Sequence, residues 1–417
     1  MIIKKTSYLA IFLALLLVAN VSYASSEDTR YLVKSTSGWW KKSFGVRHNF
    51  DDGFTTNLSD FQLRLAKIFN LEVEPVKRLN VLPAQTNLPD LSQAPVVSGQ
   101  PILSGKVQTK RIKPNEQVPW GIKTIYNDLF FSKSSGGLGV KIAILDTGVL
   151  KTHPDIKDRV KNCKDFSGVT ILDGKCDDKN GHGTHVAGII AGDGGSDGLG
   201  IYGMAPEAEL LIYKVCSNNG TCWADDVAVA LRTATDDGAN IVNISLGSDS
   251  SSQLIKDATN YAVEKNVLIV ASAGNDGPYV GSIDYPGADA NVVSVGAIDK
   301  EIRVSDWSSR GNNSTSTPNV IEEKDLELVA PGVNVESTWK DGGYAILSGT
   351  SMATPHIVGL SAKLWSRLLE QSSISDSQNE SGQTNSATIV REIIQKLTTD
   401  LLPIGDDDNS GLGLPHL

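Results

Sequence analysis

Four short segments hold residue types able to do acid–base and nucleophilic chemistry. They are Ile144-Leu145-Asp146-Thr147-Gly148, His182-Gly183-Thr184-His185-Val186-Ala187-Gly188, Ala271-Ser272-Ala273-Gly274-Asn275 and Ser348-Gly349-Thr350-Ser351-Met352-Ala353-Thr354-Pro355. Each has rival readings when taken alone. An Asp-Thr-Gly can be half of a carboxylate pair sharing a proton, but the chain has no second Asp-Thr-Gly or Asp-Ser-Gly. His182-x-x-His185 lacks the four-residue spacing and the glutamate of a zinc helix. An elbow of the Gly-x-Ser-x-Ala kind at Ser351 would need an acid and then a histidine-bearing motif downstream; no such motif follows, and His356 sits one turn into the same helix. In the order Asp, His, Asn, Ser the segments make sense together. A serine hydroxyl is a weak nucleophile and needs a base. An imidazole titrating near neutrality can be that base. A carboxylate can hold its tautomer, and a side-chain amide can stabilise developing negative charge.

Such groups must be held at the ends of rigid elements. Val140–Leu145, Leu210–Val215, Ile241–Ser245, Val267–Ala271 and Val292–Val295 are short apolar runs. Continuous apolar strands are buried on both faces, which predicts a parallel sheet covered by helices. Helices are expected over 183–191, 224–235 and 252–264. The alternation predicts a doubly wound α/β domain from about residue 114 to 417, with its site at the carboxyl ends of the strands. Asp146 and Asn275 both fall there. Residues 25–113 read as a small α+β region: a strand at Arg30–Lys34, a helix at Leu58–Phe69, a strand at Leu71–Val76, then a proline-punctuated stretch. Residues 371–387 form a polar insertion.

The first residues bear on compartment. Lys4 and Lys5 precede an apolar run, Tyr8–Ala19, and Ser22-Tyr23-Ala24 offers the small residues of a cleavage site, so 1–24 reads as a secretory signal peptide. A secreted chain, extracellular or periplasmic, is expected, with no membrane attachment once the signal is removed. A formal charge of -10 excludes the basic footprint of a nucleic-acid binder. The four cysteines allow three pairings. Bridging of near neighbours, Cys163 with Cys176 and Cys216 with Cys222, is the expectation because each pair brackets a polar, glycine-containing loop; zinc ligation is the rival.

From about residue 114 onward the chain resembles the subtilisin family of serine proteases, on all four motifs and their order. The resemblance implies a three-layer, doubly wound, mostly parallel α/β sheet and hydrolysis of peptide bonds in proteins or peptides by a monomer. It implies Ser351 as nucleophile, His182 as general base, Asp146 as its orienting carboxylate and Asn275 as oxyanion donor. Substrate would lie as a strand between Ser245-Leu246-Gly247 and the segment Ser217 to Gly220. Asp284 would floor the first specificity pocket and favour Lys or Arg before the cut bond, and Asp178 would add to a basic preference in the second. A structural calcium ion and no organic cofactor are implied. Its ligands would be Asp155, Asp197, the carbonyls of Gly195, Leu199 and Ile201, and Glu116 or Gln117. Residues 25–113 resemble in outline the family's pro-region, an intramolecular inhibitor, with removal near Lys110-Arg111.

Overall fold

The computed structural model describes residues 30–81, 112–313, 320–375, 385–401 and 405–417. The signal peptide, Lys110-Arg111 and most of the polar insertion lie outside these. The chain forms two compact units that divide between Val76 and Lys77, well ahead of the boundary expected near residue 113.

The small unit comprises β1 (Arg30–Val33), α1 (Gly38–Phe44), β2 (His48–Asn49), β3 (Phe54–Asn57), α2 (Asp60–Ile68) and β4 (Val73–Pro75). Its strands form an antiparallel sheet in the order β2-β3-β1-β4. Helix α2 starts at a reciprocal cap. The Ser59 hydroxyl accepts from the Gln62 N–H at 3.3 Å, and Gln62 Oε1 accepts from the Ser59 N–H at 2.9 Å. Val33, Phe44, Phe54, Leu58 and Ala66 form the core of the unit.

The large unit begins with β5 (Arg78–Val81), α3 (Trp120–Ile125), β6 (Lys141–Asp146), β7 (Val160–Asp165), β8 (Leu172–Asp173) and α4 (His182–Ala191). Next come β9 (Glu209–Lys214), β10 (Thr221–Trp223), α5 (Ala224–Asp236), β11 (Ile241–Ile244), β12 (Leu246–Gly247), α6 (Gln253–Glu264), β13 (Leu268–Ser272), β14 (Val293–Ile298) and β15 (Leu328–Pro331). It closes with β16 (Val335–Thr338), β17 (Tyr344–Leu347), α7 (Thr350–Ser375), α8 (Ser386–Lys396), β18 (Thr398–Thr399) and β19 (Leu414–Pro415). The main sheet runs β15-β14-β13-β11-β6-β9-β7-β8. Its pairs are parallel except at the β7–β8 edge. Alternate residues explain the layers. Ile142, Ile144, Leu210, Ile212, Val270, Val293 and Val295 pack with Val186 and Ile190 of α4 and Ile357 and Val358 of α7. Ala143, Leu145, Val242, Ile244, Ile269 and Ala271 point to the other face and are also fully buried, on the side where α5 and α6 pack together. The three-layer, mostly parallel α/β architecture is therefore as expected. The apolar strands foreseen in the sequence are present; β7 (VKNCKD) lacks an apolar run and was not foreseen.

Candidate active site

The candidate residues stand at the carboxyl ends of neighbouring strands. Leu145 of β6 pairs with Ile244 of β11, and Ile244 pairs with Ala271 of β13. Asp146 and Ser245 each lie one residue beyond these partners, and Asn275 lies shortly beyond β13. Asp146 is fully buried. Its carboxylate meets His182 Nδ1 at 2.8 and 2.9 Å, and Oδ1 accepts the Thr147 N–H at 2.7 Å. Burial depresses the His182 pKa, but the charge and hydrogen bond of Asp146, with the charge of Asp178, outweigh it and raise the pKa above the usual imidazole value. His182 opens α4 directly after Gly181, whose φ of 110° lies in the left-handed region that favours glycine. Gly183 is equally constrained, since a Cβ there would come within 2.2 Å of the Gly148 carbonyl and 3.1 Å of Asp146 Oδ1.

Ser351 sits in the first turn of α7, where unpaired N–H groups and the helix dipole favour negative charge. Pro355, four residues on, has no N–H to give to the Ser351 carbonyl. That carbonyl instead accepts from the Ser245 hydroxyl at 3.2 Å, which is held in turn by Asn243 Nδ2 at 2.9 Å. The Ser351 hydroxyl donates to the Ser245 carbonyl at 3.2 Å. His182 Nε2 has no hydrogen-bond partner among the described residues. Thr350 grips Asn275: its N–H and its hydroxyl each meet Asn275 Oδ1 at 3.0 Å. The amide nitrogen then lies 3.5 Å from where a Cβ on Gly349 would stand. Thr350 is a supporting residue that the sequence alone did not single out.

Leu246 and Gly247 form β12, and a strand of the same chain lies between it and β10. β5 pairs antiparallel with β12 through Leu246↔Val81 and Gly247↔Asn80. On its other edge it pairs with β10 through Thr221↔Asn80, Cys222↔Leu79 and Trp223↔Arg78, and the Val81 N–H donates to the Gly220 carbonyl at 2.9 Å. The second wall is thus Gly220–Trp223. Ser217 is displaced from it, because its N–H and hydroxyl turn back onto the Thr221 carbonyl within the hairpin that Cys216–Cys222 closes. The other disulfide joins Cys163 and Cys176, so both near-neighbour pairings are present.

Asp284 is wedged beside the groove, 3% exposed. Its Oδ2 is 2.7 Å from the Cβ position of Gly247 and 3.0 Å from that of Gly274. Asp249 and Asp276, which no motif in the sequence singles out, bring carboxylate oxygens within 4.8 Å of it and of each other. Burial, then the charges of Asp276 and Asp249, push the Asp284 carboxyl up to about 7. Asp249, Asn275, Asp276, Tyr279 and Lys324 line the adjoining pocket. Asp178 does not face a pocket: it is buried, and both its oxygens are engaged by the turn preceding His182 and by Thr147 and Thr184.

The candidate calcium ligands are placed unevenly. Asp155 is fully buried, and its Oδ2 accepts the Ile201 N–H at 2.8 Å and the Tyr344 hydroxyl at 2.7 Å. Asp197 caps the Leu199 N–H at 3.0 Å. The carbonyls of Gly195 and Ile201 accept the N–H groups of Gly198 and Gly194 at 3.0 Å each. Glu116 is drawn away to Lys123 at 3.0 Å. Its neighbour Gln117 reaches the loop, with its side-chain amide 2.5 Å from the Gly198 carbonyl.

Comparison with known proteins identifies the family. The subtilase family model, peptidase S8, matches residues 137–413. A subtilisin of Bacillus sp. strain TA39 is 44% identical over 372 residues, covering 85% of this chain and 84% of that protein. Subtilisin Savinase of Lederbergia lenta is 38% identical over 278 residues, 65% of this chain and 94% of its own. Among solved structures, sphericase superposes with a TM-score of 0.67 at 44% identity, over 73% of this chain and 99% of that one. The chain belongs to the subtilase family of serine endopeptidases.

Proposed function

We propose that Ser351, with His182 as base and Asp146 as its orienting carboxylate, cleaves peptide bonds in strands bound between β10 and β12. His182 Nε2 takes the hydroxyl proton as Oγ bonds to the substrate carbonyl carbon, and the same proton then passes to the departing amine. Water repeats the sequence to release the acid. Asn275 Nδ2 and the Ser351 N–H receive the oxyanion. The observation that carries this reading is β5 itself. Its pairing with both walls occupies the groove with extended backbone, as a substrate would, and it runs towards Ser245, whose carbonyl holds the Ser351 hydroxyl. Ser351→Ala tests the reading: hydrolysis should vanish, and surviving hydrolysis would overturn it. Because β5 comes from residues 25–113, the same pairing supports that region as an intramolecular inhibitor. The order of signal peptide, inhibitor and mature domain, ending in a secreted enzyme, completes the proposal. Among the described residues no helix is long and apolar enough to cross a membrane.

The acidic pocket supports a preference for Lys or Arg before the cut bond. A cation there needs Asp284 ionised. Its pKa is raised to about 7, so the carboxyl is neutral below that pH and charged above it. The ratio of kcat/KM for Arg- over Leu-terminated peptides should therefore climb as pH rises through about 7, and Asp284→Gly should cut the alkaline ratio by about tenfold, worth ~1.4 kcal/mol. Equal rates for both peptides at pH 9 would end the idea.

The chemistry of the donors near Asp197 fits a calcium ion. A buried carboxylate, a loop carboxylate, an amide side chain and peptide carbonyls are hard oxygen ligands in a flexible loop. Gln117, Asp155, Asp197 and the Leu199 carbonyl would hold it, and the ion would supply cross-linking charge to a glycine-rich loop. Chelation should then lower Tm. A ligand at a hundredfold excess over its Kd contributes about 2.7 kcal/mol, or roughly 5 °C for a domain of this size. An unchanged Tm in a differential scan with EGTA would remove calcium from the account.

A further inference from the structure

We infer that Asp178 is a positioning residue for His182, joining the turn after Asp146 to the start of the helix that carries the imidazole. The inference rests on the proposed roles of Asp146 and His182. Asp178 Oδ1 accepts the Thr147 hydroxyl at 3.0 Å and the N–H groups of Asn180 and Gly181 at 3.0 and 2.7 Å. Oδ2 accepts the Thr184 N–H at 3.0 Å and the Thr184 hydroxyl at 2.6 Å. Thr147 completes the frame. Its Oγ1 accepts the Gly183 N–H at 3.0 Å, and its own N–H holds Asp146 Oδ1 at 2.7 Å. One buried carboxylate thus binds both sides of the Asp146–His182 contact: the strand end through Thr147, and the first turn of α4 through Gly181 and Thr184. A carboxylate with five donors cannot rotate without losing several bonds, so the two ends keep one separation. Water has no need to fill the frame, since every oxygen of the carboxylate is engaged.

Asp178 also adds charge. The groups facing this region are Asp146 and Asp178, the Lys214 ammonium, which donates to the Thr147 carbonyl at 2.5 Å, and Asp165 and Asp177 acting on Lys214. His185, one turn along α4, is kept neutral by burial and by the charge of His182, its pKa pushed down to about 3. Removing the Asp178 charge must lower the pH at which His182 gives up its proton, because an anion near an imidazolium favours the charged form.

Asp178→Asn and Thr147→Val separate the two contributions. In Asp178→Asn the acid limb of the kcat/KM profile on a short peptide anilide should move down by about half a pH unit or more, and kcat should fall by roughly tenfold. Thr147→Val keeps the carboxylate but cuts its link to the strand end. Its acid limb should stay in place while kcat drops several-fold at unchanged KM. A fixed acid limb in Asp178→Asn, or an undiminished kcat in Thr147→Val, overturns the inference. If Asp178→Asn fails to fold, Thr147→Val decides alone. Failure of the triad reading would show separately, as hydrolysis surviving in Ser351→Ala.

Discussion

Ser351→Ala should lower kcat by about a millionfold, the loss established for the nucleophile of subtilisin itself. The size follows from the role: Oγ is the atom that forms the acyl bond, and alanine supplies nothing that His182 can deprotonate. Stability should scarcely change. Ser351 is fully buried, and its hydroxyl makes one bond, to the Ser245 carbonyl at 3.2 Å, worth about 1 kcal/mol. Alanine is a good former for the first turn of α7. Loss of activity can therefore be read as loss of chemistry. Removal of residues 25–113 by the chain's own Ser351 predicts that the variant also accumulates with that region still attached. Peptide hydrolysis and intact mass are the two readouts. Retained hydrolysis would sink the mechanism. A chain that still loses the region would show that another protease removes it.

Sequence disclosed the parts of this molecule whose causes are local. The apolar run Val140–Leu145 had to be a doubly covered strand, and β6 occupies Lys141–Asp146 with its alternate residues buried on both faces. Asp146, His182, Asn275 and Ser351 stand out in the sequence through the short motifs around them, such as Gly181 before α4 and Pro355 after Ser351, and the fold sets His182 on Asp146 and Asn275 on Thr350, beside Ser351. What stayed hidden depends on partners far away in the chain. Nothing in Arg78-Leu79-Asn80-Val81 announces that it pairs with strands more than a hundred residues later. Ser217 looked like a groove residue until the Cys216–Cys222 hairpin turned it onto Thr221. Glu116 and Gln117 are adjacent and both offer oxygen, yet Glu116 is held by Lys123 and only Gln117 reaches the loop, a choice no local pattern records. The sequence points Asp178 towards the second specificity pocket; its burial under Thr147 and Thr184 stays hidden there because those partners come from different elements. Asp249 and Asp276 join Asp284 for the same reason: three loops converge, and no spacing in the chain records it.

Asn275→Gly should lower kcat by about 10²–10³ with little change in KM, the loss of about 2.7–4 kcal/mol known for the matching donor in subtilisin. The split follows from when the bond is made. A neutral substrate carbonyl gains little from the Asn275 amide, whereas the oxyanion formed as Ser351 attacks gains a great deal, so the interaction belongs to the transition state. The side chain is built for this before substrate arrives. Thr350 fixes Oδ1 through its N–H and hydroxyl, both at 3.0 Å, and Gly274, with φ of 114° and its N–H on Thr350 Oγ1 at 3.2 Å, fixes the backbone. Glycine is the sharpest substitution because Gly274-Asn275-Asp276-Gly277 is itself a turn-forming sequence. It preserves whatever the turn requires and removes only the amide. A turn residue replaced by glycine would leave kcat nearly intact, and that result would strip Asn275 of its part in the chemistry. Asn275→Asp should do worse than glycine: it is the same shape, but it ends the donation and sets a negative charge against the oxyanion. An order of activity running from asparagine through glycine to aspartate is what a donor requires, and no purely conformational role produces it.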